Sequence, residues 1–176
     1  LDQITGELIA AVERLGIAEN TYIIFVGDNG TQSRTPRPTR AGLVQGGKWD
    51  LNEGGMHVPL LIDGPGLSDG STNTALVDMT DLFPTICALA GVPLPPDLIM
   101  DGRSILPVLT GQQKQHRQWI TGAIRDDFAI FDGQWRLHHR DERLVDCRNL
   151  PEEKEANLSE AAAQEALVKL LPVLRS

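Results

Sequence analysis

The sequence predicts an α/β domain followed by a small antiparallel sheet with a terminal helix. Three patterns predict this fold class: an amphipathic helix that leads into a continuous apolar run, a hairpin signal at Asp132-Gly133, and a helical leucine repeat after Ser159. A helix followed by a strand buried on both faces is typical of α/β proteins with parallel sheets. A polar shift near residues 112–118 divides the chain into a first domain of residues 1–112 and a second of residues 113–176.

The first domain begins with an amphipathic helix that Gly16 ends. Its apolar positions recur at spacings of three and four residues: Leu1, Ile4, Leu8, Val12 and Leu15. Residues 22–26 follow as a strand whose unbroken apolar run predicts burial on both faces. Residues 31–40 are polar and interrupted by proline, which predicts a loop.

Two further elements complete the first domain. Residues 58–63 are a second apolar run before Gly64-Pro65-Gly66, and they predict another core strand. A helix is predicted from Thr80, with Thr80 as its cap, Pro84 near its first turn and Gly91 after its end. The residues expected on the buried side of this helix are Phe83, Ile86, Leu89 and Ala90.

The second domain is predicted to be an antiparallel meander covered by a helix. Residues 128–131 and 134–138 flank Asp132-Gly133, a strong hairpin signal because glycine accepts the positive φ of the favoured turn. Residues 119–124 and 143–146 can add two strands. Ser159 is predicted to cap the final helix. The leucines expected to cover the sheet are Leu167, Leu170, Leu171 and Leu174.

Composition narrows the class of protein. The 176 residues carry a net charge of −8 and 41% hydrophobic residues, as in an ordinary globular protein. The acidic balance argues against general nucleic-acid binding, which needs a surplus of Lys and Arg. No apolar run approaches the ~20 residues of a membrane span. Cys87 and Cys147 lack metal or redox spacing, and Cys87 is expected to serve packing.

Two motifs carry the candidate chemistry. Asp28-Asn29-Gly30 comes directly after the first apolar run, at the strand end where ligands gather in open α/β sheets. Carboxylate and amide oxygens suit Ca²⁺ or Mg²⁺. Lys48 follows Gly46-Gly47, and these glycines permit a close approach to a ligand. Asp28 and Asn29 are therefore candidate metal ligands and Lys48 a candidate anion contact, with a plain turn and a solvated lysine as the alternatives.

Other polar residues are weaker candidates. The arginines of the predicted loop can contact an anion or form a solvated surface: Arg34, Arg37 and Arg40. His57 could face the site. Structural or surface roles are nevertheless favoured for every histidine, because none has a partner at metal-ligand spacing. The histidines are His57, His116, His138 and His139.

The ordered motifs resemble the C-terminal half of a sulfatase, within the alkaline-phosphatase-like superfamily. Residues 25–30 resemble the family's strand ending in Ser-Asp-Asn-Gly, and residues 46–59 resemble its signature Gly-Gly-Lys-Gly-Thr-x-x-Glu-Gly-Gly-x-x-Val-Pro. Later family blocks match in order at residues 81–85, 101–104 and 144–158. Trp49 stands where glycine is usual, Asn52 where an aromatic is common, and His57 where arginine is common.

The resemblance implies part of an alkaline-phosphatase-like mixed or parallel sheet and the hydrolysis of a small-molecule or carbohydrate sulfate ester. By this likeness Asp28 and Asn29 are ligands of a calcium ion, sometimes magnesium, and Lys48 is the catalytic lysine that contacts the sulfate. The family's nucleophile is a formylglycine made from a Cys/Ser-x-Pro-x-Arg motif that these residues lack, so we expect it upstream.

Several further expectations and alternatives follow from the resemblance. This chain alone is expected to be inactive and to self-associate through uncovered sheet surface. A periplasmic or secreted location is implied. A phosphonate monoester or phosphodiester hydrolase is the nearest enzymatic alternative, and a non-catalytic binding or assembly module is another.

Overall fold

A computed structural model describes residues 2–32, 36–39, 42–67 and 70–175. The chain forms two compact units, the first from Leu1–Val26 and Pro59–His116, the second from Gly27–Val58 and Arg117–Ser176. The domain boundary predicted near residue 112 stays a prediction. Within the described residues, no helix is both long and apolar enough to cross a bilayer.

Helices and strands are interspersed in the first half of the chain, and strands dominate the second. The helices are α1 Asp2–Arg14, α2 Glu53–Met56, α3 Leu82–Leu89, α4 Leu106–Leu109 and α5 Ala161–Leu174. The strands are β1 Ile23–Val26, β2 Pro36–Thr39, β3 Gly42–Gln45, β4 Leu60–Asp63, β5 Ile120–Ile124, β6 Asp127–Phe131, β7 Trp135–His138, β8 Leu144–Asn149 and β9 Glu152–Glu155.

In the first unit, α1 and both predicted strands are present. Gly16 follows α1 with a φ of +67°, the left-handed conformation in which helices commonly end. β1 pairs with β4 in antiparallel register, with Val26 opposite Leu60. The prediction of full burial is wrong for β1, whose residues are half-buried. A parallel neighbour of β1 is not found among the described residues.

Thr80 does not cap the helix predicted from it, and the side-chain cap found here is Asp78, which belongs to a turn before α3. A 3₁₀ turn, Met79–Asp81, precedes α3, and the side chain of Asp78 accepts a hydrogen bond from the Thr80 amide at 2.9 Å. Asp81 returns the interaction, because its Oδ2 accepts from the Asp78 amide at 2.9 Å. This reciprocal capping box satisfies two amides that the turn would leave unpaired.

The buried side of α3 also differs from the prediction. Phe83 and Ile86 are exposed, whereas Pro84 and Thr85 are buried. The reason is a polar contact that periodicity does not report: the Thr85 hydroxyl accepts from the Ile105 amide at 3.0 Å. Thr85 therefore turns this face of α3 toward the segment that leads into α4.

In the second unit, the loop predicted for residues 31–40 is wrong at residues 36–39. These residues form β2, which pairs with β3 in antiparallel register, Pro36 opposite Gln45 and Thr39 opposite Gly42. Proline lacks an amide donor but is accepted in an edge strand, and both strands of a two-stranded ribbon are edges. Arg34 and Arg40 lie outside the described residues.

The predicted meander is confirmed and is longer than predicted. A five-stranded antiparallel sheet has the order β5-β6-β7-β8-β9, and β9 has no counterpart in the sequence patterns. Gly133 has a φ of +95° in the hairpin between β6 and β7, as its turn chemistry predicts. Ala129, Leu137 and Leu144 are among the buried residues of this sheet.

Helix α5 packs on the sheet, but Ser159 does not cap it. The cap position is Glu160, which makes no side-chain capping bond, while the Ser159 hydroxyl donates to Asn157 Oδ1 at 2.8 Å. Leu170 and Leu174 are buried as predicted, and Leu167 and Leu171 pack at the edge of the core. The remaining buried positions of α5 are taken by small residues, Ala163 and Ala166.

Candidate functional site

The two motifs singled out by the sequence lie against each other in the second unit. The Gly30 amide donates to the Gly55 carbonyl at 3.1 Å, and the Gly47 amide donates to the Gly54 carbonyl at 3.2 Å. The Lys48 amide donates to the Thr31 carbonyl at 3.0 Å. The turn that carries Asp28 and Asn29 and the turn that carries Lys48 are therefore joined through their backbones.

Glycine is required at this junction because the backbones touch. A Cβ on Gly30 would lie 1.9 Å from the Gly54 carbonyl oxygen, and one on Gly54 would lie 1.7 Å from the Gln45 carbonyl oxygen. Real Cβ atoms do not approach so closely, so any side chain there would force the two turns apart. The glycines of the motif serve first to bring the turns together.

Asp28 and Asn29 lie at the exposed side of their turn, and Lys48 is half-buried. The donor set of one carboxylate and one amide oxygen has the chemistry that Ca²⁺ prefers, and both oxygens remain accessible to an ion. Calcium usually takes six to eight oxygens, so two residues supply only part of its shell. Among the described residues no three His, Cys, Asp or Glu side chains cluster at metal-binding distance.

Trp49 occupies a backbone position that favours glycine. The Asp50 amide donates to the Gly47 carbonyl at 2.7 Å, which closes a turn with Lys48 and Trp49 as its central residues. Trp49 has a φ of +79°, as the third residue of a type II turn requires. For a residue with a side chain this left-handed conformation costs about 1 to 2 kcal/mol.

A short helix, α2, follows residues 46–52, the Lys48 loop. The Asn52 side chain caps α2 by accepting from the Gly55 amide at 2.9 Å. Glu53 lies in the first turn, where its Oε1 is 2.5 Å from His57 Nδ1. This hydrogen bond to Glu53 raises the pKa of His57 above its ordinary value, and partial burial opposes the rise.

A buried arginine joins this helix to the five-stranded sheet. Arg136 on β7 is 1% exposed, and its Nη1 donates to Glu153 Oε1. The same Glu153 oxygen accepts from the Glu53 amide at 2.6 Å. Arg136 Nη2 lies 3.8 Å from Glu53 Oε2, an ion-pair distance rather than a hydrogen bond.

This arginine centre was missed by sequence reasoning. Arg136 lies in a predicted strand, and nothing in the sequence around it indicates that its side chain is buried. Glu153 belongs to the last family block, but its position in that block does not identify Arg136 as its partner. A buried guanidinium needs compensating carboxylates, and the requirement becomes visible only when three elements meet.

The remaining histidines and Cys147 have structural surroundings. His116 Nε2 lies 3.1 Å from the buried Asp81 Oδ2, and the His139 ring stacks on Phe128 with 4.2 Å between ring centres. Burial lowers the pKa of His138. Burial raises the pKa of the Cys147 thiol to about 12, so Cys147 stays protonated and unreactive at neutral pH.

Comparison with known proteins identifies the family. A family model described as Sulfatase matches residues 1–92, and one described as N-sulphoglucosamine sulphohydrolase, C-terminal, matches residues 47–171. Human arylsulfatase A is 36% identical over 145 residues, which cover 78% of this chain and 28% of that protein.

Two solved structures share the fold. The crystal structure of Ps i-CgsB has a TM-score of 0.76 at 26% identity, and its complex with k-i-k-neocarrahexaose has a TM-score of 0.71 at 25% identity. Each match covers 97% of this chain and 40% of the other. The chain thus spans well under half the length of the relatives it matches. These matches show that the chain belongs to the sulfatase family, with an alkaline-phosphatase-like fold.

Proposed function

We propose that this chain is part of a sulfuric ester hydrolase in which Lys48 binds the sulfate and Asp28 and Asn29 hold Ca²⁺, or alternatively Mg²⁺. The observation that carries the proposal is the backbone junction between the two turns. The Lys48 amide donates to the Thr31 carbonyl at 3.0 Å, and the Gly30 amide donates to the Gly55 carbonyl at 3.1 Å. Such a junction keeps a cationic side chain and two oxygen ligands on one rigid group of loops, as a preorganised site requires.

The residues of this chain supply binding and charge. In the net reaction one water molecule is consumed, the bond from sulfur to the ester oxygen breaks, and an alcohol and hydrogen sulfate result. The Lys48 ammonium would pair with a sulfate oxygen and offset the negative charge that develops as the ester oxygen leaves. A bound calcium ion would supply further positive charge at the same group. The nucleophile is proposed to be a formylglycine from residues outside this chain.

The substrate is proposed to be a small-molecule or carbohydrate sulfate ester. One relative is named an arylsulfatase, and one structural neighbour was solved with a neocarrahexaose. Both names support an ester borne by a ring, and neither decides between an aryl and a sugar ring.

The test uses the protein encoded by the complete reading frame. We expect it to hydrolyse 4-nitrophenyl sulfate, and we expect Lys48→Ala to lower kcat/KM by about a hundredfold or more, as loss of a charge-stabilising donor does. Lys114→Ala, which removes an exposed lysine of the first unit, is the matched control and should leave kcat/KM unchanged.

Each alternative function predicts a different result. Faster turnover of 4-nitrophenyl phosphate or of a phosphonate monoester than of the sulfate would favour the phosphohydrolase alternative. No turnover of any of these esters by the complete protein, with calcium present, would favour the non-catalytic module.

The 176-residue chain alone provides a second measurement. Since its described residues offer only two ligands at the junction, we expect weak or absent Ca²⁺ binding by calorimetry. Tight binding through six or more protein oxygens would contradict the proposed partial site.

Self-association of this chain is also proposed. Apolar side chains are exposed on α1 and β4, among them Ile4, Leu8 and Leu61, and such surface favours association. Light scattering should give a mass that rises with concentration, and a clean monomer over a wide range would contradict the proposal.

A further inference from the structure

The side chain of Trp49 is not held by packing in the core of the second unit. It is 68% exposed, so it contributes little to the core of the second unit. Its φ of +79° is a conformation in which glycine would be free of strain. Neither packing nor turn chemistry therefore explains a tryptophan here, and strained residues of this kind cluster at binding and catalytic sites.

The other strained positions make the contrast clear. Arg125 and Glu142 also have positive φ, at +58° and +49°, without being glycine. Both are polar, exposed residues in turns of the five-stranded sheet, and the Glu142 carboxylate accepts hydrogen bonds from Arg175. Trp49 alone of the three exposes a large apolar surface, and burial of this surface by a bound group would be favourable.

The neighbour of Trp49 indicates what covers it. The Lys48 ammonium lies 5.6 Å from the centre of the Trp49 ring, so the cation and the aromatic face are adjacent. One turn, closed by the 2.7 Å bond from Asp50 to Gly47, fixes both residues. When the anionic group of a ligand pairs with Lys48, the part of the ligand attached to that group therefore lies next to the Trp49 indole.

We propose that Trp49 is a stacking platform for the ring that carries the sulfate, and so selects ring-borne sulfate esters over esters of open-chain alcohols. The inference rests on the proposed role of Lys48 in sulfate binding. In such an ester one bridging oxygen separates the sulfur from the ring, so a single small molecule spans both residues. Aromatic rings stack offset on the indole, and the C–H face of a sugar ring covers the same surface.

The test measures binding by calorimetry to the protein encoded by the complete reading frame. The probes are phenyl sulfate, galactose 4-sulfate and methyl sulfate, which carry an aromatic ring, a sugar ring and no ring. In Trp49→Gly we expect about tenfold weaker binding of the ring esters and less than a twofold change for methyl sulfate. Trp49→Phe should keep most of the affinity for phenyl sulfate. Trp49→Gly relieves the positive φ, so its thermal midpoint should not fall.

The two ring esters distinguish an aromatic ring from a sugar ring. The ester whose affinity falls more in Trp49→Gly carries the ring that Trp49 prefers. Unchanged affinity for all three probes in Trp49→Gly would overturn the proposal, and so would an equal loss for all three, which would mean that Trp49 only shapes the turn. Lys48→Ala should weaken all three probes alike. Ring-selective binding without turnover of any sulfate ester would overturn the proposed hydrolase activity and leave the platform standing.

Discussion

The two amphipathic helices α1 and α5 differ in the burial of their apolar faces. Leu170 on α5 is fully buried against the five-stranded sheet, whereas Leu8 on α1 is 54% exposed. Both helices show the apolar spacing of a surface helix with one buried face. Spacing therefore indicates which face of a helix can be buried, and the neighbouring elements determine whether that face is buried.

The largest expected effect tests the arginine centre of the second unit. Arg136→Met leaves Glu153 and Glu53 without their buried cation and should lower the free energy of unfolding by about 3 to 5 kcal/mol. Urea unfolding followed by tryptophan fluorescence is the measurement, because Trp49, Trp119 and Trp135 all belong to the second unit.

The matched control is Arg140→Met, which removes an exposed ion pair with Asp126 at 3.2 Å. It should change the free energy of unfolding by less than about 1 kcal/mol. Equal losses for the two arginine variants would show that burial of Arg136 carries no special weight. Arg136→Met/Glu153→Met should recover part of the loss, since it removes an unpaired charge.

A smaller effect tests the contrast between the helices directly. Leu170→Ala should cost about 3 kcal/mol, because a cavity forms under α5, while Leu8→Ala should cost less than about 0.5 kcal/mol. Tryptophan fluorescence reports the first variant, and circular dichroism together with the fluorescence of Tyr22 reports the second. Comparable losses would mean that α1 is covered by contacts that the described residues do not include.

Asp81→Ala tests whether the first unit depends on a polar centre instead. Asp81 is fully buried and accepts from the amides of Asp78 and Arg103 at 2.9 and 2.8 Å. Its loss leaves two amides without acceptors and should cost about 2 kcal/mol in the first unit. The tryptophan signal of the second unit should stay unchanged, and a parallel loss there would contradict two separate units.

The smallest effect concerns pH and the helix that ends the Lys48 loop. The hydrogen bond to Glu53 raises the pKa of His57 above 6.5, so protonated His57 stabilises the folded chain. This contribution is fully present below pH 6.5 and is lost as pH rises through the folded-state pKa. His57 is largely exposed, so the change in stability should be small.

Proton NMR of the His57 ring measures this pKa directly. In Glu53→Gln the pKa should move back toward 6.5, since the carboxylate that favours the charged ring is gone. A His57 pKa at or below 6.5 in the unmodified chain would contradict the Glu53 contact.

Local patterns predicted the elements whose own residues determine them. The strands at residues 23–26 and 60–63, the hairpin around Gly133 and helix α5 all follow from apolar runs, turn residues and periodicity. The predictions were wrong where a contact with a distant residue determines the cap of a turn or the burial of a side chain. Asp78 rather than Thr80 caps the turn, because the Asp81 side chain accepts a hydrogen bond from the Asp78 amide in return. Thr85 is buried because its hydroxyl accepts a hydrogen bond from the Ile105 amide.

The candidate site shows the same division. Asp28 and Asn29 are proposed as metal ligands and Lys48 as an anion contact from their residue types and glycine neighbours alone. Arg136 was not identified, since its burial depends on Glu53 and Glu153 from two other elements. Trp49 was noted only as a departure from the family pattern, and its strain became evident with the φ of its turn.

The amino-acid sequence was enough to determine the family and the main helices and strands, and to propose Asp28, Asn29 and Lys48 for metal and sulfate binding, because each of these follows from local residue type and spacing. Only contacts between distant segments bring the Gly30 and Gly54 backbones together, bury Arg136 against Glu153 and Glu53, and leave most of the apolar stripe of α1 exposed. The physical reason is that burial and pairing are properties of contacts between distant segments, which only the folded chain brings together.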